Sequence, residues 1–253
     1  MIRLVGVLIW KDSTIVQSER FKHTNVIHDN AIHAIESLRA DDLDELVILN
    51  VSPNNQSFTA FAKDLSRITQ EVRIPISAGG HVTAPSDIEL LLLCGADKIV
   101  LNTSIVENPK FAREMSNLYG SSTIVASVDV MNDLQSDTKI VWTNQGKKQT
   151  DLGLSDWIQL VEEVGAGEIL FNSIDHDGSR KGYDLQSLRF IKNNSELPLI
   201  GFGGVGDWEH LAEGLLAGCD AVAFANGLHY VEFAPRKAKR YLEQSGFEVR
   251  KWG

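Results

Sequence analysis

Apolar residues fall into short runs at regular intervals along this chain: Leu4 to Ile9, Leu46 to Asn50, Ile74 to Ala78, Ile99 to Asn102, Ile124 to Asp129, Ile169 to Asn172, Leu199 to Phe202 and Ala221 to Ala225. Runs of this length, rich in Val and Ile and bounded by Gly, Pro, Asn and Asp, predict strands. Between them, near residues 30–40, 57–70, 86–95, 108–118, 155–164, 184–194, 207–217 and 234–244, the apolar positions repeat at the helical period. Strand and helix therefore alternate from end to end. Eight βα units in about 250 residues predict an α/β fold, a single closed (β/α)8 barrel spanning residues 1–253.

Helix starts and stops agree with that division. Pro85-Ser86-Asp87 opens one helix and Gly95 closes it; Gly206-Asp207 opens another and Gly218 closes it. Two connections exceed the minimum: Asp12 to Ile27, and Met131 to Leu152, where Lys139 to Thr143 and Lys147 to Thr150 flank Asn144-Gln145-Gly146 as a hairpin. Both follow strand C-termini, the face on which barrel enzymes build their active sites.

The chain also repeats itself. Ser77-Ala78-Gly79-Gly80, Asp87, Cys94-Gly95-Ala96-Asp97 and Leu101-Asn102 are echoed by Gly201-Phe202-Gly203-Gly204, Asp207, Ala217-Gly218-Cys219-Asp220 and Ala225-Asn226. The offset is 124 for Gly79/Gly203 and Asn102/Asn226 and 123 for Asp97/Asp220, with the slip placed in the stretch holding Asp87 and Asp207. A two-fold half-barrel repeat follows, and with it the expectation of two equivalent sites.

Composition narrows the function. With 24 Lys plus Arg against 34 Asp plus Glu, the net charge of −10 repels a polyanion, so nucleic acid is not expected as a partner. No apolar run approaches the ~20 residues of a membrane helix, and Met1 to Val7 has no secretory layout, which predicts a cytoplasmic protein without a membrane partner. Cys94 and Cys219 read as small buried hydrophobes. Histidines 23, 28, 33, 81, 176, 210 and 229 form no HxH or HExxH spacing and no CxxC is present, so neither a metal nor a cofactor is expected.

Candidate chemistry gathers at strand ends. Each Gly-Gly pair, Gly79-Gly80 and Gly203-Gly204, lies between a strand and a helix, where backbone N–H groups can cradle an anion, completed by Asn102-Thr103 in one half and Ala225-Asn226 in the other. Two cradles imply a small-molecule substrate with two phosphate or other anionic ends. Asp129 finishes an apolar run, where a carboxylate is costly without a purpose, and is the leading acid–base candidate. Asp175 and Asp177, with Gly178, follow the sixth strand as active-site loop residues or as a cap and a turn. At the opposite face Arg3, Glu45, Lys98 and Glu168 stand at strand starts; Arg3, Lys98 and Glu168 share the inward parity of Val5, Asn102 and Asn172. Four inward charges of balanced sign form either a salt-bridged structural plug or a gate to an axial passage.

These residues resemble the cyclase subunit of imidazole glycerol phosphate synthase, the HisF family. The similarity covers essentially the whole chain and rests on Gly95-Ala96-Asp97-Lys98 with Asn102-Thr103-Ser104 and Glu107-Asn108-Pro109, on Gly165 to Leu170, on Asp175-His176-Asp177-Gly178 with Lys181 to Asp184, and on Gly203-Gly204. The resemblance implies a barrel that receives ammonia from a HisH-like glutaminase docked on its N-terminal face. It implies use of that ammonia in a lyase and cyclisation reaction on a doubly phosphorylated ribulosyl formimino nucleotide. It assigns the ammonia gate to Arg3, Glu45, Lys98 and Glu168, a glutaminase contact to Asp97, one catalytic aspartate to Asp129 and an acidic active-site loop residue to Asp177. Gly79, Gly80, Asn102 and Thr103 match one phosphate site; Gly203, Gly204, Ala225 and Asn226 match the other.

The first cradle reads Ala78-Gly79-Gly80 where the family usually has three glycines, and three further departures accompany the matches. Ile9 stands where the family's first strand ends on its other catalytic aspartate, Gln17 replaces a lysine of the first loop, and Asn50 replaces an aspartate ending the second strand. An isoleucine moves no proton, so ring closure is expected to lose ~10² to 10⁴ in rate. An intact gate with altered cyclisation groups also resembles paralogous barrels that work with a glutaminase-like subunit and a sugar amidotransferase, forming acetamidino sugars for surface polysaccharide. A barrel that only docks its partners, and a phosphosugar isomerase of the related histidine-pathway type, are further alternatives; the isomerase leaves the gate unexplained.

Overall fold

The computed structural model describes residues 1–38, 42–53, 57–133 and 138–250. In chain order the strands are β1 (Arg3–Lys11), β2 (Thr14–Glu19), β3 (His23–His28), β4 (Glu45–Asn50), β5 (Ile76–Gly79), β6 (Lys98–Leu101), β7 (Ile124–Asp133), β8 (Thr138–Thr143), β9 (Lys148–Gly153), β10 (Glu168–Ser173), β11 (Leu199–Phe202) and β12 (Ala221–Phe224). Eight of them, β1, β4, β5, β6, β7, β10, β11 and β12, pair in parallel in that order, and β12 pairs back onto β1 to close the barrel. The helices are α1 (Ala31–Leu38), α2 (Phe58–Glu71), α3 (Pro85–Leu93), α4 (Thr103–Glu107), α5 (Pro109–Tyr119), α6 (Leu154–Val164), α7 (Leu185–Asn194), α8 (Trp208–Leu216), α9 (Asn226–Tyr230) and α10 (Ala234–Gln244). All eight predicted strands and eight predicted helices are present. Residues 39–40, the end of the first predicted helical stretch, and 251–253 lie outside the described residues. Among the described residues no helix is long and apolar enough to cross a membrane.

Alternation along the strands separates two cores. Outward residues such as Leu4, Leu8, Trp10, Leu46 and Ile48 pack under the helices. Trp10 meets Phe61 of α2 at 5.3 Å between ring centroids and donates its indole N–H to Asp64 at 3.0 Å. Inward residues, among them Val5, Val7, Val47, Val100, Val125 and Leu170, fill the barrel itself. Each such aliphatic side chain, fully buried, contributes roughly 1.5–3 kcal/mol.

The base of the barrel is pinned by a repeated clamp. Asp44, Asp97 and Asp220 precede β4, β6 and β12; their carboxylates accept the N–H of Leu4, Ile76 and Leu199 at 2.8, 2.8 and 3.0 Å. Their own N–H groups donate to the carbonyls of those same residues at 2.9, 2.8 and 2.9 Å. Gly167 holds the fourth equivalent place with a backbone bond to Ile124 alone, because a Cβ there would lie 2.5 Å from the Ser121 carbonyl oxygen.

The half-barrel register differs from the one read along the sequence. The segments β5, α3, β6 and α4 match β11, α8, β12 and α9 at a single offset of 123. Gly80, not Gly79, therefore pairs with Gly203; Asn102 pairs with Ala225, Thr103 with Asn226, and Asp87 with His210. Local geometry confirms it: the successive left-handed residues are Gly80 and His81 (φ 97° and 60°) in one half and Gly203 and Gly204 (φ 90° and 93°) in the other. Asp87 Oδ2 accepts the N–H groups of Thr83 and Ala84, and His210 Nδ1 accepts those of Gly206 and Asp207. Aligning identical Gly-Gly pairs puts the sequence one residue out of step.

Two further differences concern the mouth. The stretch after β1 is not loose but folds as the β2–β3 hairpin, with β2 antiparallel to β1. Asp129 does not end its strand: β7 runs on to Asp133 because it pairs with β8 outside the barrel, Asp129 opposite Trp142. The β8–β9 hairpin itself stands as expected around Asn144-Gln145-Gly146.

Candidate active site

At the base, β1, β4, β6 and β10 each start on an inward charge, and the four side chains close into a ring of alternating sign. Arg3 bonds Glu45 at 2.7 Å and Glu168 at 2.5 Å, and Lys98 bonds Glu168 at 2.8 Å and approaches Glu45 at 3.7 Å. Burial alone would lower the Arg3 pKa, but the hydrogen bonds and charges of Glu168 and Glu45 outweigh it and hold the guanidinium raised. Below the ring, Arg3, Lys98 and Glu168 open onto a basin of about 560 Å³ that Met1, Ser122, Pro198 and Asp220 also line. Asp97 is not part of that basin's lining; its carboxylate clamps Ile76 as described above.

At the mouth, a cavity of about 290 Å³ is lined by Ile9, Leu49, Asn50, Ser127, Asp129, Leu170, Asn172, Asp177 and Phe202 from the barrel and its loops, and by Lys11, Ser18, Phe21, Lys22, Gln145 and Lys147 from the two hairpins. Its two carboxylates are Asp129, half-buried as a residue, and Asp177, buried. Burial pushes the Asp129 pKa up to about 7, opposed by hydrogen bonds from Asn172 and Asn102 and reinforced by the charge of Asp177. The two amides reach it from neighbouring strand ends, Asn102 Nδ2 at 2.9 Å and Asn172 Nδ2 at 3.3 Å. A carboxyl half-ionised near neutral pH is suited to either giving or taking a proton.

Asp177 is raised as well, first by burial, against hydrogen bonds from the Ser18 hydroxyl at 2.7 Å and the Phe21 N–H at 3.2 Å. Those bonds tie it to the β2–β3 hairpin, and Gly178 (φ 70°) lets the chains meet, since a Cβ there would stand 2.8 Å from the Ser18 carbonyl oxygen. Asp175 points elsewhere: it accepts the N–H of Asn132 at 2.8 Å, capping the loop. The far end of the hairpin rests on α9, where His229 meets His28 at 3.3 Å and burial pushes the His229 pKa down to about 4.

Each Gly-Gly turn lines a recess. The first, about 180 Å³, is lined by Asn50, Gly80, His81, Asn102 and Thr103 with Asn144 and Gln145 of the β8–β9 turn; Gly79 is the last residue of β5 beside it. The second, about 20 Å³, is lined by Gly203, Gly204, Ala225 and Asn226 with Ile9, Ser18, Asp177, Gly178, Phe202 and Val205. Two of the three substituted positions, Ile9 and Asn50, fall here too. Ile9 is a wall of both the mouth cavity and the second recess; Gln17 accepts from the Tyr230 hydroxyl; Asn50 lines the mouth cavity and the first recess.

Sequence reasoning missed Asn172, Ser18, Gln145 and Phe202 as site residues. Asn172 carried a usable signal, the inward parity it shares with Glu168. Ser18 and Gln145 sit on hairpins whose fold over the mouth depends on tertiary pairing, and no local pattern announces that.

The histidine biosynthesis protein family profile matches residues 3–234. Among curated relatives, the imidazole glycerol phosphate synthase subunit HisF of Chlorobium phaeobacteroides (strain BS1) is 38% identical over 82% of each chain. The HisF subunits of Thermotoga sp. (strain RQ2) and Petrotoga mobilis are 33% and 31% identical over 98% of this chain and 97% and 98% of theirs. A (β/α)8 barrel with a ring of charges at one end and a buried aspartate at the other, matched along nearly its full length by these subunits, belongs to the histidine biosynthesis family and, within it, to the HisF cyclase subunits of imidazole glycerol phosphate synthase.

Proposed function

We propose that this barrel accepts ammonia released by a glutaminase docked over its base, admits it through the Arg3–Glu45–Lys98–Glu168 gate, and delivers it to an acceptor held beside Asp129. The observation that carries this reading is the closed ring of alternating charge at one end of the same barrel whose other end holds a carboxyl titrating at about 7. Four charges crowded at a barrel base are costly to desolvate and give little net stability, so a passage that must open and reseal accounts for them better than a static plug. Ammonia is neutral and small enough to cross the aliphatic interior, and Asp129 meets it where a proton must be handled.

Ring closure on a doubly phosphorylated ribulosyl formimino nucleotide needs an acid and a base on opposite sides of the substrate, and Ile9 removes one. Turnover with a HisH-type glutaminase and glutamine is therefore expected to be low, and Ile9→Asp to raise it by ~10² to 10⁴. A gain that also needs Asp129 supports the reading. An Ile9→Asp variant that folds, binds glutaminase and gains nothing sinks it. The loss of that carboxylate also favours a second reading, in which the barrel relays ammonia to a sugar amidotransferase forming acetamidino groups; ammonia-dependent product with a sugar acceptor and none with the nucleotide selects it.

A further inference from the structure

His81 stands where its half-barrel counterpart is a glycine. At the offset of 123 it pairs with Gly204, and both lie in the left-handed region, φ 60° and 93°. Glycine adopts that conformation freely; a residue with a Cβ is strained there, and strain of this kind is kept where the side chain is used. The imidazole is used on the carbonyl of Ser52. His81 Nε2 stands 2.7 Å from that oxygen, and Gln145 Nε2, from the β8–β9 turn, stands 3.0 Å from it. A carbonyl only accepts, so His81 Nε2 carries the ring proton, and its 3.3 Å approach to Gln145 Nε2 sets two donors side by side on one acceptor. Gln145 is itself left-handed, φ 59°, so two strained residues from separate loops clasp the same oxygen.

Ser52 gathers more than these two donors. It is fully buried; its Oγ accepts the N–H of Asp12, just before β2, at 3.0 Å, and its own N–H donates to Asn50 Oδ1 at 3.0 Å. Both hairpins over the mouth therefore close on one buried residue, the first through its hydroxyl and the second through its carbonyl. Gln145 and Lys147 of the second hairpin line the mouth cavity, so whatever seats that turn places an amide and a cation over the bound acceptor. We propose that His81 is a positioning residue for the acceptor: by clasping the Ser52 carbonyl beside Gln145 it holds the β8–β9 turn down over the mouth. This rests on the reading of the mouth cavity as the acceptor site. The clasp does not touch Asp129, whose amide partners Asn102 and Asn172 come from barrel strand ends, so acceptor binding responds to it and proton transfer does not.

The test separates positioning from bracing. In His81→Gly the backbone relaxes as the clasp is lost, so the thermal midpoint of the whole chain should stay within about 3 °C of the parent. Hydrogen exchange followed by mass spectrometry should nonetheless quicken about tenfold or more across the β8–β9 turn and stay unchanged in β10 and β11. His81→Gln, whose side-chain amide reaches about as far as the imidazole Nε2, should restore slow exchange. In the complex with a HisH-type glutaminase, His81→Gly should raise KM for the ribulosyl formimino nucleotide about fivefold or more with kcat within about twofold, and His81→Gln should bring KM back. A group that only braced the fold would lower the midpoint and quicken exchange throughout the barrel. That pattern, unaltered exchange at the turn, or a fall in kcat with KM unmoved overturns the inference. Absence of turnover from any nitrogen source overturns the acceptor reading instead, and the exchange measurement, which needs no substrate, still decides whether His81 holds the turn.

Discussion

Asp129 shows how one residue's surroundings set its chemistry. Its carboxylate accepts from two amides, Asn102 and Asn172, and meets no cation among the described residues, so loss of water around it prevails and its pKa rises to about 7. A carboxyl with a raised native pKa keeps a proton that the unfolded chain releases at about 4. Stability contributed at low pH is accordingly lost as pH climbs from about 4 to 7, and is level beyond. Asp129→Asn removes that ionisation, at the expense of turning one neighbouring amide to match it. The variant should be more stable than the parent by roughly 1–3 kcal/mol at pH 8, with the difference shrinking towards pH 4, in thermal melts across that range. Its ammonia-dependent turnover should fall by ~10² or more, and the parent's should show an inflection near pH 7. A stability difference that does not vary with pH contradicts the assignment.

The charged ring at the base is a property of four strands, not of one residue. Arg3, Glu45, Lys98 and Glu168 face one another only because β1, β4, β6 and β10 start at the same level with the same parity, so the ring is an inventory of register. Removing one member exposes its cost: in Arg3→Met, two carboxylates of 10% and 6% side-chain exposure are left to Lys98 alone. Urea unfolding should report a loss of roughly 2–4 kcal/mol, below the ~3–5 of a fully buried pair because Arg3 itself is partly wet. Replacing all four by Met and Leu should restore stability to within about 1 kcal/mol of the parent or exceed it, while glutamine-driven turnover drops for want of a gate. Period-2 alternation makes the ring legible in the sequence, since it requires only which residue starts each strand and which way it points. The same logic fails where identity overrides geometry. Gly79-Gly80 and Gly203-Gly204 look equivalent, but the left-handed turn in the first half falls on Gly80 and His81, and a non-glycine in that region gives no sequence cue. The short helices α4 and α9 escape sequence reading for a related reason: five residues are too few to show a period.

For the whole molecule, the decisive arrangement is end to end. The ring and the 560 Å³ basin lie at one face, Asp129 and the 290 Å³ cavity at the other, and the column between them is mostly aliphatic, relieved by Ser77 and Ser127. Its lining includes small residues, Ala221 and Ala223 on β12. The eight strands, their order and the facing of the charges are readable from spacing; the hairpins β2–β3 and β8–β9 that roof the cavity are readable only in part, because their closure is fixed by long-range bonds such as Ser18 to Asp177 and Asn144 to Thr103. If the column is the route, obstructing it must separate two nitrogen sources. Ala223→Phe puts a ring into the middle of the barrel at an overpacking cost of about 1–3 kcal/mol, leaving both faces untouched. Ammonium salt reaches Asp129 from the mouth and should sustain turnover within about twofold of the parent, whereas glutamine, whose ammonia must come from the base, should support at most about a tenth of it. Both rates are measured on the same glutaminase complex, so weak docking is excluded by its unchanged assembly in gel filtration. Equal loss with both sources would place the damage at Asp129 itself, and equal retention would mean that ammonia does not travel through the barrel.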